Sequence, residues 1–266
     1  MREISTIGSF RLRVGYKKTG RLRYLGHLEV LHTIERVIRR AGLPYAITQG
    51  YSPHMRIAFS SAVPVGTASY DEWFDLWLDE LVLAPQALER LQKASPQDLM
   101  PTCAGYVDMH EQALTAALTR CIYRISLYAQ DSKNSPTATY KPLDSDSFIC
   151  AFNKIASLDS LTYMRGKKEK TMNISNTLVR YDISSNKQGH FVINLDTRSS
   201  NLGALRPEVL LNEVEHELGA NFPKELFAHC EIDRISQMIE LEDGTLVKPL
   251  AHPRESKAKN SATFAY

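Results

Sequence analysis

The sequence has only four cysteines in 266 residues, Cys103, Cys121, Cys150 and Cys230, and no two of them stand close together. That spacing argues against a structural zinc site, which draws on closely paired ligands, and against an iron–sulfur cluster held by neighbouring thiolates. No apolar run approaches the ~18 residues that a spanning helix needs. The opening MREISTIGSFRLR has no apolar core of a secretory leader. A cytoplasmic location with reduced, buried thiols is the expectation. The chain also lacks a G-x-x-x-x-G-K-[ST] loop, a G-x-G-x-x-G turn after a strand and a G-x-S-x-G elbow. Walker-type nucleotide hydrolysis, Rossmann chemistry and ordinary serine hydrolysis drop out with them.

What the chain does have is enough apolar content, 43%, and enough length for two ordinary domains. Its net charge of +2 hides a strong alternation. Residues 1–60 hold 11 Lys/Arg against 3 Asp/Glu, and residues 61–119 hold 2 against 9. The pattern repeats, with 11 against 6 over 120–190, 4 against 11 over 191–247, and 4 against 1 over 248–266. One reading is a basic face for nucleic acid or another polyanion; the other is charge scattered over solvated surfaces.

Hydrophobic periodicity organises the chain. FRLRVGY, residues 10 to 16, alternates as a half-buried strand. Leu28, Leu31, Ile34, Ile38 and Ala41 recur at helical spacing from about Tyr24, and Gly42 and Pro44 end that helix. Strands are expected from Met55 to Ser60 and from Glu72 to Asp79, a helix from Pro85, and a strand near Cys103 to Val107. In the fourth of these elements Phe74, Leu76 and Leu78 make the better core face, while Trp73 and Trp77 share the other side with Asp71, Asp75 and Asp79. The tryptophans are therefore expected to be buried against a second domain.

A similar order follows. It has a strand over Cys121 to Ala129, a loop over Asp131 to Pro142, a helix capped at Asp144 or Ser145, strands around Lys170 to Ile183 and His190 to Leu195, a helix from Pro207 and a strand over Glu231 to Glu240. Two βαββαβ runs predict an α+β protein of tandem ferredoxin-like two-layer sandwiches, over residues 8–110 and 119–248, with a disordered tail at 249–266. The same tandem occurs in CRISPR repeat-cleaving endonucleases and pseudouridine synthases, a fold analogy only.

The densest constellation is KKTGRLRYLGHLE (17–29), RRAGLP (39–44) and QGYSPHMRI (49–57), with Pro64 and Gly66 further on. These stretches resemble the signature of the radical-SAM-associated protein family: K-x-G, R-[FY]-L-S-H-L-D, R-R-A-G-[LI]-P and Q-G-[FY]-[NS]-P-H-P-[KR]-[IL], then P-L-G. That domain occurs fused behind cobalamin-binding radical SAM proteins and as a separate chain. Gly26, Glu29 and Met55 stand where the family usually has Ser, Asp and Pro. A hydroxyl at the helix start is thus missing, whereas the acid is only lengthened. The resemblance implies fold and neighbourhood more than a reaction.

His27 at the helix start and His54 in the following loop are the candidate catalytic residues, because two imidazoles that titrate near neutrality can share acid and base work. The alternative is that His27 packs at the helix start and Pro53-His54 fixes a turn. Lys17, Lys18, Arg21, Arg23, Arg36, Arg39, Arg40 and Arg56 can neutralise phosphates, and Tyr51, with Tyr24 and Tyr45, offers rings for base stacking. Lys167 and Lys168 belong to a second basic run, which is equally readable as a solvated hairpin. The expectation is a non-enzymatic RNA-binding or substrate-presenting accessory in RNA maturation or modification, with no cofactor or metal of its own and RNA, a radical SAM enzyme or a ribonuclease as partner. The competing expectation is a metal-independent ribonuclease in which His27 works near His54 while Lys18 or Arg23 steadies the phosphate.

Overall fold

A computed structural model describes residues 10–127, 145–185, 190–200, 203–219 and 230–250. The expected loop over Asp131 to Pro142 and almost all of the expected tail lie outside them. The chain forms two compact units, one running through Thr119 and resuming at Ser236, the other Arg120–Ile235. The architecture is mixed α and β, and its strand pairing is mostly antiparallel.

In the first unit β1 (Phe10–Lys18) is followed by a 3-10 turn (Gly20–Tyr24), α1 (His27–Arg40), β2 (Ile57–Phe59), β3 (Ala68–Leu78), α2 (Ala84–Ala94), β4 (Leu99–Val107) and the short α3 (Leu114–Ala117). β1 lies between β3 and β4, and β2 pairs with β3. The periodicity explains this layout. Leu12, Val14 and Tyr16 of β1 join Phe74, Leu76 and Leu78 of β3 in one core with Val30, Ile34, Val37 and Ile38 of α1 and Ala87 and Leu91 of α2. α1 begins three residues later than its apolar spacing suggests, because the stretch before it is already committed to the 3-10 turn. It ends as expected, with Gly42 in the left-handed region (φ 63°).

The opposite face of this sheet is also covered, so β1 is buried on both sides rather than half-buried. Trp73 is buried with Leu114 and Leu118 of the α3 segment and against Cys103, Ile239 and Leu250. All of these belong to the first unit, which thus supplies the cover expected from a second domain. Gly15 makes the space: a Cβ there would lie 2.7 Å from Cys103 Sγ and 3.1 Å from Trp73 Cη2. Trp77, further along the same face, is flanked by the guanidinium groups of Arg11 and Arg56.

The second unit holds β5 (Arg120–Leu127), α4 (Ser145–Ala156), the hairpin β6 (Ser160–Arg165) and β7 (Lys168–Asn173), a short α5 (Ile174–Thr177), β8 (Leu178–Ser185), β9 (Phe191–Ser200), β10 (Gly203–Ala204), α6 (Pro207–Leu218) and the start of β11 (Cys230–Glu240). β9 pairs with β5, β8 and β10, and β11 lies beside β5. The single strand expected around Lys170 to Ile183 is two strands, broken where Asn173 accepts from Asn176 N–H and starts α5. Phe148, Phe152, Ile193, Leu195, Leu210 and Val214 centre its core. β11 ends in the first unit, where β12 (Leu246–Val247) pairs with it.

Candidate functional site

The signature segments build the mouth of the first unit's core by local bonds. Gly20 adopts φ 49°, and a Cβ there would come within 2.3 to 2.5 Å of the Asp98 carboxylate, so any other residue would be strained and would have to displace that side chain. That carboxylate in turn accepts from Arg21 N–H at 3.1 Å. Arg23 donates from Nε to Gly66 O at 2.7 Å, and Gly66 N–H returns a bond to Arg23 O at 3.0 Å. The guanidinium thereby holds the Pro64–Gly66 turn against the 3-10 turn. At the α1 start Glu29 accepts from Gly26 N–H at 2.7 Å. This is one half of a capping box; glycine has no side chain for the other half.

Beneath this mouth the core face of the sheet turns polar. Tyr16 stands opposite Glu72 and Lys18 opposite Ser69 across the β1–β3 pair. Lys18 and Glu72 are only 1% and 2% exposed, and Ser69 donates to Glu72 at 2.5 Å. Burying two ionisable side chains costs several kcal/mol each unless they are compensated, so such a pair marks a place to look for function. They line a cavity of about 10 Å³ with Tyr16, Ser60, Val63 and His27. His27, the first residue of α1, is exposed and sets its ring edge-on against Phe59 at 5.6 Å between centroids. Three of the lining residues, Lys18, Leu25 and His27, belong to the motifs. Glu72 was legible only as an acid continuing the apolar row of Phe74, Leu76 and Leu78.

His27 packs on Phe59, whereas the side-chain contacts of His54 lie inside its own loop. His54 sits in the loop closed by the Ile47–Met55 bridge, with Nδ1 3.2 Å from Thr48 Oγ1 and 3.1 Å from Ser52 O. The turn-fixing alternative describes His54.

The cationic candidates divide by environment. Lys18 is buried and cannot reach a backbone phosphate. Arg23 is committed to Gly66, and Arg56 lies 4.6 Å over the Trp77 ring. Lys17 is half-buried and Arg21 exposed. Arg36, Arg39 and Arg40 lie along the outer side of α1: Arg36 donates to His32 O, and Arg39 pairs with Glu35 at 3.5 Å. Arg36 and Arg40 open on a groove of about 400 Å³ between α1 and the end of α2, with Thr33, Ser95 and Pro96. Arg39 and Arg40, in the last turn of α1, also offset the negative end of its dipole. Tyr51 projects fully into solvent and Tyr24 is 67% exposed. Lys167 and Lys168 are exposed at the β6–β7 turn of the second unit.

Among the described residues no three His, Cys, Asp or Glu side chains gather as ligands for a metal ion. None of their helices is long and apolar enough to cross a membrane.

The family described as "Uncharacterized protein conserved in bacteria (DUF2344)" matches residues 11–207. The chain belongs to this family. The matched span takes in every residue of the family member's small cavity and both arginines of its groove. No curated protein matches the chain. Among solved structures it is similar to a chain of a Cbf5-Nop10-Gar1 complex, at 8% identity and a TM-score of 0.42. The alignment covers 89% of this chain, which spans only 51% of that one. A protein described as unknown from Galdieria sulphuraria aligns at 10% identity and a TM-score of 0.22, over 86% of this chain and 99% of that one. A putative glycine cleavage system transcriptional repressor aligns at 10% identity and a TM-score of 0.20, over 85% and 97%.

Proposed function

We propose that this protein is a non-enzymatic RNA-binding or substrate-presenting accessory of RNA maturation or modification, acting in the cytoplasm beside a radical SAM enzyme or a ribonuclease. The observation that carries the reading is the run of guanidinium groups on the outer side of α1, with Arg36 and Arg40 opening on a groove of about 400 Å³. Exposed Tyr24 and Tyr51 add rings for base stacking. The radical SAM neighbourhood rests on the KKTGRLRYLGHLE, RRAGLP and QGYSPHMRI stretches alone.

The fold belonging to this reading is the tandem ferredoxin-like one. The β4–β1–β3–β2 order of the first unit supports it. So does the β11–β5–β9–β8 order of the second, with the β6–β7 hairpin as an insertion.

The ribonuclease reading asked for His54 near His27 and for Lys18 or Arg23 on the phosphate. With His54 in its own loop, Lys18 buried and Arg23 bound to Gly66, the accessory reading ranks first.

Titration of single-stranded RNA across a range of salt concentrations tests the proposal. Neutralising phosphates releases counterions, so affinity falls steeply with salt, and every phosphate no longer neutralised reduces the slope of log K against log salt by about 0.7. Changing Arg36, Arg39 and Arg40 together to Ala is expected to weaken binding and flatten that slope. An unchanged slope would remove RNA from this face.

A further inference from the structure

We infer that the β6–β7 hairpin of the second unit is a further contact for the RNA phosphate backbone, additional to the arginines of α1; this rests on the RNA-binding reading. The hairpin is a two-stranded sheet of its own. Leu161 and Met172, near its base, are buried in the second unit's core, and Tyr163 is packed against it. In β7 Met172 is the one buried residue of six. A hairpin that buries so little apolar surface adds little to stability, and two strands on their own are marginal.

Charge explains what packing does not. Side chains alternate along a strand, so Lys170 and Lys168 continue toward the turn the row that Met172 begins in the core. Both are exposed, as is Lys167 in the turn. The register sets Lys168 against Arg165, Lys170 against Tyr163 and Glu169 against Met164, so no cation stands opposite an acid. The hairpin thus forgoes the cross-strand ion pairs that would steady it. The three lysine side chains make no hydrogen bond or ion pair with the described residues. Glu169, on the other face, lines a groove with Asn212 and Glu213 of α6. What remains is a row of ammonium groups that no described side chain neutralises, and a polyanion supplies the missing charge. Ammonium groups of this kind meet phosphates without reading sequence. The turn, Gly166 and Lys167, carries no apolar side chain to enter a lipid surface, which favours nucleic acid over a membrane.

The test is a salt titration of a mixed-sequence, single-stranded RNA followed by fluorescence anisotropy, with wild-type protein and with Lys167, Lys168 and Lys170 changed together to Ala. Each lost phosphate contact lowers the slope of log K against log salt by about 0.7, so the loss of three is expected to lower it by about 2. Changing the same three to Arg keeps the charge and is expected to keep the slope. With no partner in the fold to lose, the alanine variant is expected to melt at the wild-type temperature, which separates a lost contact from a lost fold. An unchanged slope in the alanine variant, while the wild type binds RNA, overturns the hairpin contact and leaves the α1 reading standing. An unchanged RNA slope together with lost binding to phosphatidylglycerol vesicles assigns the hairpin to a membrane surface and overturns it equally. A wild-type protein that binds no RNA overturns the RNA-binding reading itself.

Discussion

Asp75 accepts two hydrogen bonds from Arg13, at 2.8 Å from Nε and 3.1 Å from Nη2, and both side chains are about 1% exposed. The two residues stand directly opposite in the β1–β3 register. Arg11 adds a second guanidinium to the same carboxylate at 2.6 Å. The spare donors go to main-chain carbonyls, from Arg11 to Gln112 O at 3.2 Å and from Arg13 to Pro249 O at 3.3 Å. One carboxylate thus holds two buried cations, which in turn pin the segments covering Trp73.

Asp75→Ala is expected to cost about 3–5 kcal/mol, because it strands two buried guanidinium groups. Urea unfolding of the variant measures it. A loss below about 1 kcal/mol would mean that the arginines find water or other acceptors, and the clamp would not be structural.

Gly15→Ala places a methyl group against Cys103 Sγ and the Trp73 ring, at 2.7 and 3.1 Å. Overpacking of this kind costs about 1–3 kcal/mol. Adding Cys103→Ala is expected to recover part of it, since the nearest obstructing atom is gone. Thermal melts of the single and double variants decide, and additive losses would place the strain elsewhere.

The α1 start offers a change of the opposite sign. Gly26→Ser supplies the missing half of the capping box and is expected to stabilise by a few tenths of a kcal/mol, whereas Glu29→Ala, which frees the Gly26 N–H, costs about 0.5–1 kcal/mol. If Glu29→Ala leaves the melting temperature unmoved, the bond seen at 2.7 Å contributes nothing in solution.

Tyr106 gives a pH signature. Its hydroxyl donates to Val82 O at 2.6 Å, and burial pushes the phenol above its ordinary 10.0, with the Val82 N–H opposing by favouring the phenolate. The folded state therefore holds this proton more tightly than the unfolded chain. The contribution is complete below about pH 10 and is lost as pH rises through the raised folded value. Tyr106→Phe keeps the edge-on packing with Phe10 but is expected to cost about 1 kcal/mol at neutral pH and to shed that alkaline slope. Equal slopes for variant and wild type between pH 9.5 and 11, about the ordinary tyrosine value, would assign the alkaline loss to another group.

The local elements of the first unit follow from residue pattern alone. Period-two alternation marks β1 and β3, the three-and-four spacing of Ile34 and Ile38 marks α1, and Gly42 with Pro44 marks its end, because side-chain direction follows from backbone repeat alone. The motif residues were visible too, but not their division of labour: Lys18 and Arg23 look alike as cations in a string, yet one is buried under the core and the other locks a turn 43 positions away. Long-range pairing brings Lys18 and Glu72 to one cavity, Arg13 to Asp75 across 62 positions, and Leu114, Leu118 and Ile239 over Trp73. Strand register and the return of a distant segment fix these partners. Local periodicity sets which way a side chain points; what it meets depends on which strand is placed beside it.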